Sequence, residues 1–394
     1  MTIRYISCFT SDRPYDGLTS INFDGNGTNN DILFSYGHFD NFPVQEIYTE
    51  QWIDLLPSED LKFVLAWQQT PMFNDLGVIT SSVIEKINSD PQVYLLCVDA
   101  LESIIYPEKY TEQCKLNGIN PAKVVVLTSN QEIHLQKIDN INYITICYWE
   151  SITRQHHRWL NTVEMVSQSQ RIDYIKSASK KFISLNRNLK PARTMWKYAM
   201  SSTLLEPQGY VSYQLPKMGN DGDYSTMIEK SSIIKEYFNG SLPSDFKDHL
   251  EYKQLDSFCN EPISYTDTIY DYVNDSLVNF ITESHHESVF LTEKTFKAIA
   301  QRQPFFIIGT PKMHSRLRDK GYYTFEKLFG VNQVHTASEA IECCKKLRDR
   351  DIEDIRQEIL ADWMPKIEHN YNLFFNSKCD WDHTMLLVKN QINL

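Results

Sequence analysis

The sequence predicts an α/β fold made twice over: two similar halves, each a parallel sheet with helices on its faces, facing each other across a cleft. Three observations carry this reading. Short β-branched and aromatic runs recur, with segments long enough for crossover helices between them. The alternation gives way to a polar, helix-patterned stretch, Arg154–Ser179, and then begins again. The chain has 394 residues, which at about 100–200 residues per domain is room for two or three domains.

Ile3–Phe9 reads as the first strand, followed by Leu61–Trp67, Val93–Val98, Val124–Leu127 and Tyr143–Tyr148. Ser82–Asn88 and Pro107–Asn117 fit the crossover helices. After the 154–180 linker region the second half opens with the strand Lys181–Leu185 and, past Pro191, the helix Arg193–Ser201. The strand Tyr210–Gln214, a Gly/Asn/Asp loop at Lys217–Tyr224 and the helix Met227–Phe238 follow. Leu277–Ile281 is a buried strand, Glu293–Arg302 a helix and Phe305–Ile308 a strand, and Thr336–Arg348, Ile352–Asn370 and Trp381–Asn393 close the chain as helices. The expected domains are 1–153 and 181–375, with 376–394 as a last helix. A cleft between domains is the default place for a ligand.

Composition narrows the function. Hydrophobic residues make up 42 % of the chain and aromatic residues 12 %, a globular balance. Acidic residues outnumber basic ones 51 to 39, and the net charge of −12 repels polyanions on average. No apolar run approaches the ~18–20 residues of a membrane span, and Met1–Cys8 has no secretory h-region, so the expected setting is the cytoplasm. The eight cysteines form no CxxC pair, and Cys8, Cys97 and Cys147 lie in apolar runs, which reads as reduced and structural. His156-His157 and His285-His286 are adjacent pairs without ligand spacing, and HExxH is absent. Glycine is scarce at 13, with neither GxGxxG nor GxxxxGK[ST]. Asp221-Gly222-Asp223 has a DxD form, but beside Gly219 and Asn220 it reads as a turn.

The chemistry concentrates in residues 279–324. Thr292 is a good N-cap, and Phe296, Ile299 and Ala300 then make one buried helix face. Glu293 and Lys294 therefore sit in the first turn, at the carboxyl end of a parallel strand, where open α/β sheets bind ligands. A cation there opposes the helix dipole by about 0.3–1 kcal/mol. Two positive features converging suit an anion between them, and Glu293 can accept from a ribose diol; the plainer alternative is a solvated lysine beside an ordinary first-turn acid. Further back, Asn186-Arg187-Asn188-Leu189-Lys190-Pro191-Ala192-Arg193 is a basic turn between a strand and a helix, an exposed loop or a phosphate contact.

Glu283-Ser284, then Thr292-Glu293-Lys294-Thr295-Phe296-Lys297, then Gln303-Pro304-Phe305-Phe306-Ile307-Ile308-Gly309 resembles the donor-binding segment of GT-B glycosyltransferases, most nearly the fucosyltransferase-type pattern found also in phage and bacterial relatives. The resemblance implies a GT-B-like fold of two Rossmann-like domains, with Glu293 on the ribose and Lys294 on the diphosphate of a nucleotide sugar such as a UDP- or GDP-sugar. It implies that Glu283 faces the donor with a catalytic part, that Arg193 or its competitor Arg187 contacts the phosphates, and that the last helix packs back on the N-terminal domain. The N-terminal half does not match the pattern.

The expected activity is sugar transfer from a nucleoside diphosphate to a hydroxyl acceptor, without a cofactor or metal, because Arg193, Lys294 and a helix N-terminus can stabilise the leaving diphosphate. A carboxylate that deprotonates the acceptor could be Asp12, Asp40, Asp75, Asp99 or Glu102; Asp99 ranks first because it follows a strand directly, against a plain cap or turn acid. The acceptor stays open between a glycan, a protein and a hydroxymethylated pyrimidine in phage DNA. Arg154, His156-His157-Arg158, Trp159, Lys176, Lys180 and Lys181 form either a basic strip for DNA or a solvated face. A non-catalytic nucleotide- or glycan-binding protein on the same fold is the alternative.

Overall fold

The computed structural model describes residues 2–7, 47–67, 79–99, 106–146, 148–159, 165–186, 190–213, 231–250, 270–283, 288–377 and 381–392. It is a mixed α/β chain with parallel sheets, and it divides into two compact units: Met1–Ile152 with Lys378–Leu394, and Thr153–Ser377. No helix among the described residues is long and apolar enough to cross a membrane.

The first unit holds strands β1 (Ile3–Ser7), β2 (Ile47–Thr49), β3 (Leu61–Trp67), β4 (Val93–Asp99), β5 (Val124–Thr128), β6 (Gln136–Ile138) and β7 (Ile141–Thr145). They lie in the order β2-β1-β3-β4-β5-β7-β6, with β6 antiparallel to β7 and the other pairs parallel. The uninterrupted apolar runs have a physical cause, since both faces of this sheet are covered. Along β4, Tyr94, Leu96 and Val98 join one core with Tyr5, Phe63 and Leu127, while Val93, Leu95 and Cys97 join another with Val64 and Val126. The second core is roofed by α1 (Ser81–Ser89) through Val83 and Ile87, and by α2 (Pro107–Leu116) through Tyr110 and Cys114. The first is roofed by the helix Trp381–Gln391, whose Trp381 indole donates to the Tyr5 hydroxyl at 2.7 Å.

The expected strand Tyr143–Tyr148 is displaced. Asp139 and Asn140 take left-handed φ angles of 49° and 67° between Ile138 and its partner Ile141. This two-residue turn is of the kind that matches strand twist, so β7 begins at Ile141, and Tyr148 opens α3 (Tyr148–Trp159) instead. The chain passes into the second unit within α3. Of the expected linker 154–180, residues 154–159 are the remainder of α3 and Gln168–Ser177 is a second helix, α4, closed at its start by a Ser167–Gln170 capping box; residues 160–164 lie outside the described set and Lys180 opens the next strand.

The second unit carries β8 (Lys180–Asn186), β9 (Gly209–Tyr213), β10 (Ser276–Thr282) and β11 (Phe305–Ile308), all parallel in the order β11-β10-β8-β9. Its helices include α5 (Pro191–Ser202) after β8, α6 (Glu293–Ala300) after β10, α7 (Lys312–Asp319), α8 (Ala337–Asp349) and α9 (Met364–Asn376). Phe280 on β10 meets Trp196 of α5 at 4.7 Å and Phe329 at 5.1 Å between ring centres, while Phe296 of α6 stacks on Phe374 of α9 at 5.9 Å. Gly209 is required by close approach, because a Cβ there would lie 2.4 Å from the Phe182 ring. Of the expected helix Met227–Phe238, Ser232–Tyr237 is helical and residues up to 230 lie outside the described set. The expected helix Ile352–Asn370 is present and runs on: Ile352–Glu358 passes through a π-helical turn, Ile359–Trp363, into α9, with right-handed helical backbone at both junctions. Pro365, which lacks an N–H and crowds the preceding turn, accounts for the local widening.

Candidate functional site

Strand order locates the place where a ligand fits the second sheet. From β8 the chain steps one way to β9, then returns past β8 to β10 and continues outward to β11. The direction reverses between β8 and β10, so right-handed crossovers send α5 and α6 to opposite faces, and open parallel sheets bind ligands at the carboxyl ends of strands where the order reverses. Those ends are polar and buried. The Thr282 hydroxyl donates to Asn186 Oδ1, and the Asn186 amide N–H donates to Ser212 Oγ at 3.0 Å. At the opposite, amino end of β10 the polar groups serve the fold: Gln303 Nε2 donates to Ser276 Oγ at 2.9 Å, and buried Arg171 donates to the Ser276 carbonyl at 3.1 Å.

Glu283 follows β10 directly and is 2 % exposed. Its carboxylate is occupied by the start of α6. Oε1 accepts from the Thr292 backbone N–H at 3.0 Å and from the Thr295 hydroxyl at 2.7 Å, and Oε2 accepts from the Thr292 hydroxyl at 2.6 Å. The role the resemblance implies, facing a donor, is not what these bonds do; they fasten a helix N-terminus to the end of a strand. Thr292 in turn caps the helix, accepting from the Lys294 backbone N–H at 3.4 Å and from Lys294 Nζ at 3.0 Å.

Glu293 and Lys294 lie in the first turn of α6, with side chains 16 % and 29 % exposed, and Lys294 Nζ donates to Glu293 Oε1 at 3.0 Å. Burial by itself would raise the Glu293 pKa; the charges of Lys294 and Lys297, the Lys294 bond and its own backbone N–H outweigh that and hold it below the usual carboxylate range. Arg193 occupies the matching position, the first turn of α5, and is 4 % exposed. Burial lowers its pKa, and the nearby charges of Glu283 and Glu293 oppose that shift. The two helices that follow the switch strands thus each bring a cation from their first turn towards the same pair of carboxylates. Cations in the first turns of two helices are groups able to hold an anion.

The remaining expected residues fall elsewhere. Arg187, Asp12, Asp40, Asp75, Glu102 and Asp221-Gly222-Asp223 lie outside the described residues. Asp99 does end β4, but its side chain turns inward: it is fully buried and accepts from the Tyr110 hydroxyl at 3.0 Å. Arg154 and Lys181 leave the expected basic strip. Arg154 is buried and donates to the Ser377 carbonyl at 2.6 Å, and Lys181 Nζ binds the Leu347 and Arg348 carbonyls at 3.1 and 2.9 Å, closing the end of α8. Orphan carbonyls and the negative pole of a helix end attract a lysine stem through apolar surroundings. Lys180 reaches the Pro207 carbonyl at 3.2 Å. Cys97, Cys114, Cys343 and Cys344 are buried free thiols, and burial pushes Cys114 up to about 11 and Cys343 up to about 12.

Sequence reasoning missed Thr295 and Lys297. The signal was present as the Thr-x-x-Thr spacing around Glu293-Lys294, which places a second hydroxyl over the capped end. Among the described residues no group of three or more His, Cys, Asp or Glu side chains could hold a metal ion. No protein-family model matches the chain, and no curated protein matches it.

Proposed function

We propose that the second unit binds a nucleoside diphosphate sugar, and that the chain is a metal-independent glycosyltransferase of the GT-B type, with two Rossmann-like domains across a cleft. One observation supports this most: Arg193 and Lys294 stand in the first turns of the two helices that leave the switch point, with Glu293 between them. In the proposed reaction the bond from the sugar's anomeric carbon to the diphosphate oxygen breaks and a bond to the acceptor oxygen forms. The acceptor's proton leaves to a base, and the diphosphate's added charge falls on Lys294, Arg193 and the α6 amides. Glu293 is the acceptor for the ribose hydroxyls, and Glu283 holds the α6 end in place. Arg187 stays the competitor of Arg193 for the phosphates. Asp99, enclosed under Tyr110, is too buried to meet an acceptor hydroxyl, so the base falls to another carboxylate.

Of the three acceptors, a hydroxyl on a glycan or a protein is favoured over a pyrimidine in DNA. The chain's net charge is −12, and two of the cations counted for a DNA strip are spent inside the second unit. Calorimetry with UDP and GDP tests the donor reading. Lys294→Ala and Arg193→Ala should each weaken binding by about 1.5–3 kcal/mol, the loss of one charge-assisted contact. Unchanged affinity in both variants removes the phosphate role and leaves the fold without a proposed donor.

A further inference from the structure

The place proposed for a ligand's phosphates already holds an anion, and the protein supplies it. The Glu293 carboxylate accepts from Lys294 Nζ at 3.0 Å, at the first turn of α6. Lys294 thus pairs directly with a carboxylate that is largely withdrawn from water, Lys297 bears on it from the next turn, and Arg193 lies towards both Glu293 and Glu283. Without it, Lys294 and Lys297 would lose the carboxylate that balances them beside a positive helix end, an arrangement that costs stability and attracts a small anion.

We infer that Glu293 is a place-holder, occupying the cation set in the empty protein and giving it up when an anionic ligand arrives. This rests on reading the site as one for phosphates, and it adds a regulatory step to that reading. Binding must break the Glu293–Lys294 ion pair, so part of the affinity is withheld from an anion that offers nothing else. Once displaced, the carboxylate has both oxygens free to accept from neighbouring hydroxyls. A ligand that carries a diol beside its phosphates recovers the loss, and a bare anion does not. The site is thereby biased towards nucleotides against the inorganic phosphates that surround it.

Titration of inorganic pyrophosphate into the full chain, followed by calorimetry, tests this. Glu293→Gln should bind pyrophosphate roughly three- to tenfold tighter than the unaltered protein, the range expected for release of a partly exposed ion pair. Glu293→Ala, the second variant, should change it with the same sign. Lys294→Met should bind it about tenfold more weakly. Equal or weaker pyrophosphate binding by both Glu293 variants, with binding by the unaltered protein intact, overturns the place-holder role alone. Absence of binding by all four proteins overturns the phosphate site itself and the place-holder with it.

Discussion

Replacing Glu283 tests how the start of α6 is held. Three donors point at its carboxylate: the Thr292 backbone N–H, the Thr292 hydroxyl and the Thr295 hydroxyl, at 3.0, 2.6 and 2.7 Å. Hydrogen bonds to a charged group contribute about 1.5–3 kcal/mol each, and burying the carboxylate takes back part of that sum. Glu283→Ala leaves three buried donors unmatched and should destabilise the second unit by about 3–5 kcal/mol. Glu283→Gln should cost about 1.5–3 kcal/mol, and it carries a second effect. Its amide group can only donate towards Thr292 Oγ1, where Lys294 Nζ already donates at 3.0 Å. Thr292 Oγ1 has two lone pairs and also accepts from the Lys294 backbone N–H, so one of the two Lys294 contacts gives way and the cap of α6 weakens. Urea unfolding gives the stabilities. A cost under about 1 kcal/mol for the alanine variant would refute the clamp.

His314 is nearly buried, accepts the Ile307 backbone N–H at 3.1 Å on the open edge of the second sheet, and lies 3.8 Å from Glu326. Burial pushes its pKa down to about 4, against the Glu326 charge that raises it and the Arg318 charge that lowers it further. Because the folded value lies below the unfolded one, the His314 contribution is complete above about pH 6.5 and is lost as pH falls towards 4, at up to about 1.4 kcal/mol per pH unit. His314→Gln keeps the acceptor without titrating, so its urea midpoints should fall less steeply over that window; equal slopes would count against it. Arg302 takes a left-handed φ of 51° after α6, binds Glu368 at 2.7 Å and lies 3.3 Å over the Tyr371 ring. Both Arg302→Ala and Arg302→Gly should lower the melting temperature, the glycine variant by about 1 kcal/mol less because it relieves the backbone. Sugar transfer should persist in EDTA and in Asp223→Asn, since Lys294, Arg193 and the α6 amides carry the leaving group's charge; activity lost in chelator and restored by Mn²⁺ or Mg²⁺ would reject that arrangement.

Legibility in the sequence followed physical simplicity. β3 and β11 begin and end where their apolar runs do, because a strand covered on both faces is marked at nearly every residue; Lys62 is the exception in β3, buried with its ammonium on the Pro57 and Asp60 carbonyls. β6 was invisible: Gln136-Lys137-Ile138 has no pattern of its own and exists because a two-residue turn folds it against β7. Around the site, Thr292 announced the helix start and so fixed Glu293 and Lys294 in its first turn. The clamp on Glu283 was hidden, because residue type alone assigns a glutamate to solvent or chemistry, and only the backbone's return from β10 brings Thr292 and Thr295 onto it. Arg154 and Lys181 misled for the same reason. Their charge suggested a surface, whereas backbone carbonyls inside the second unit satisfy both.

The helix Trp381–Gln391 has a consequence for how the molecule comes into being. It closes one face of the first sheet, and its Trp381 meets Tyr5 across 376 positions of chain. During translation all seven strands of that sheet leave the ribosome well before this helix does, with the whole of Thr153–Ser377 made in between. Through that interval Tyr5, Phe63 and Leu127 lack the cover they have in the finished protein. The unit whose synthesis begins first is thus the one that matures last, and the inserted unit can close while its host is still open. A nascent chain stalled before residue 381 should therefore expose apolar surface that holding chaperones recognise, and release from them should track the arrival of a single tryptophan.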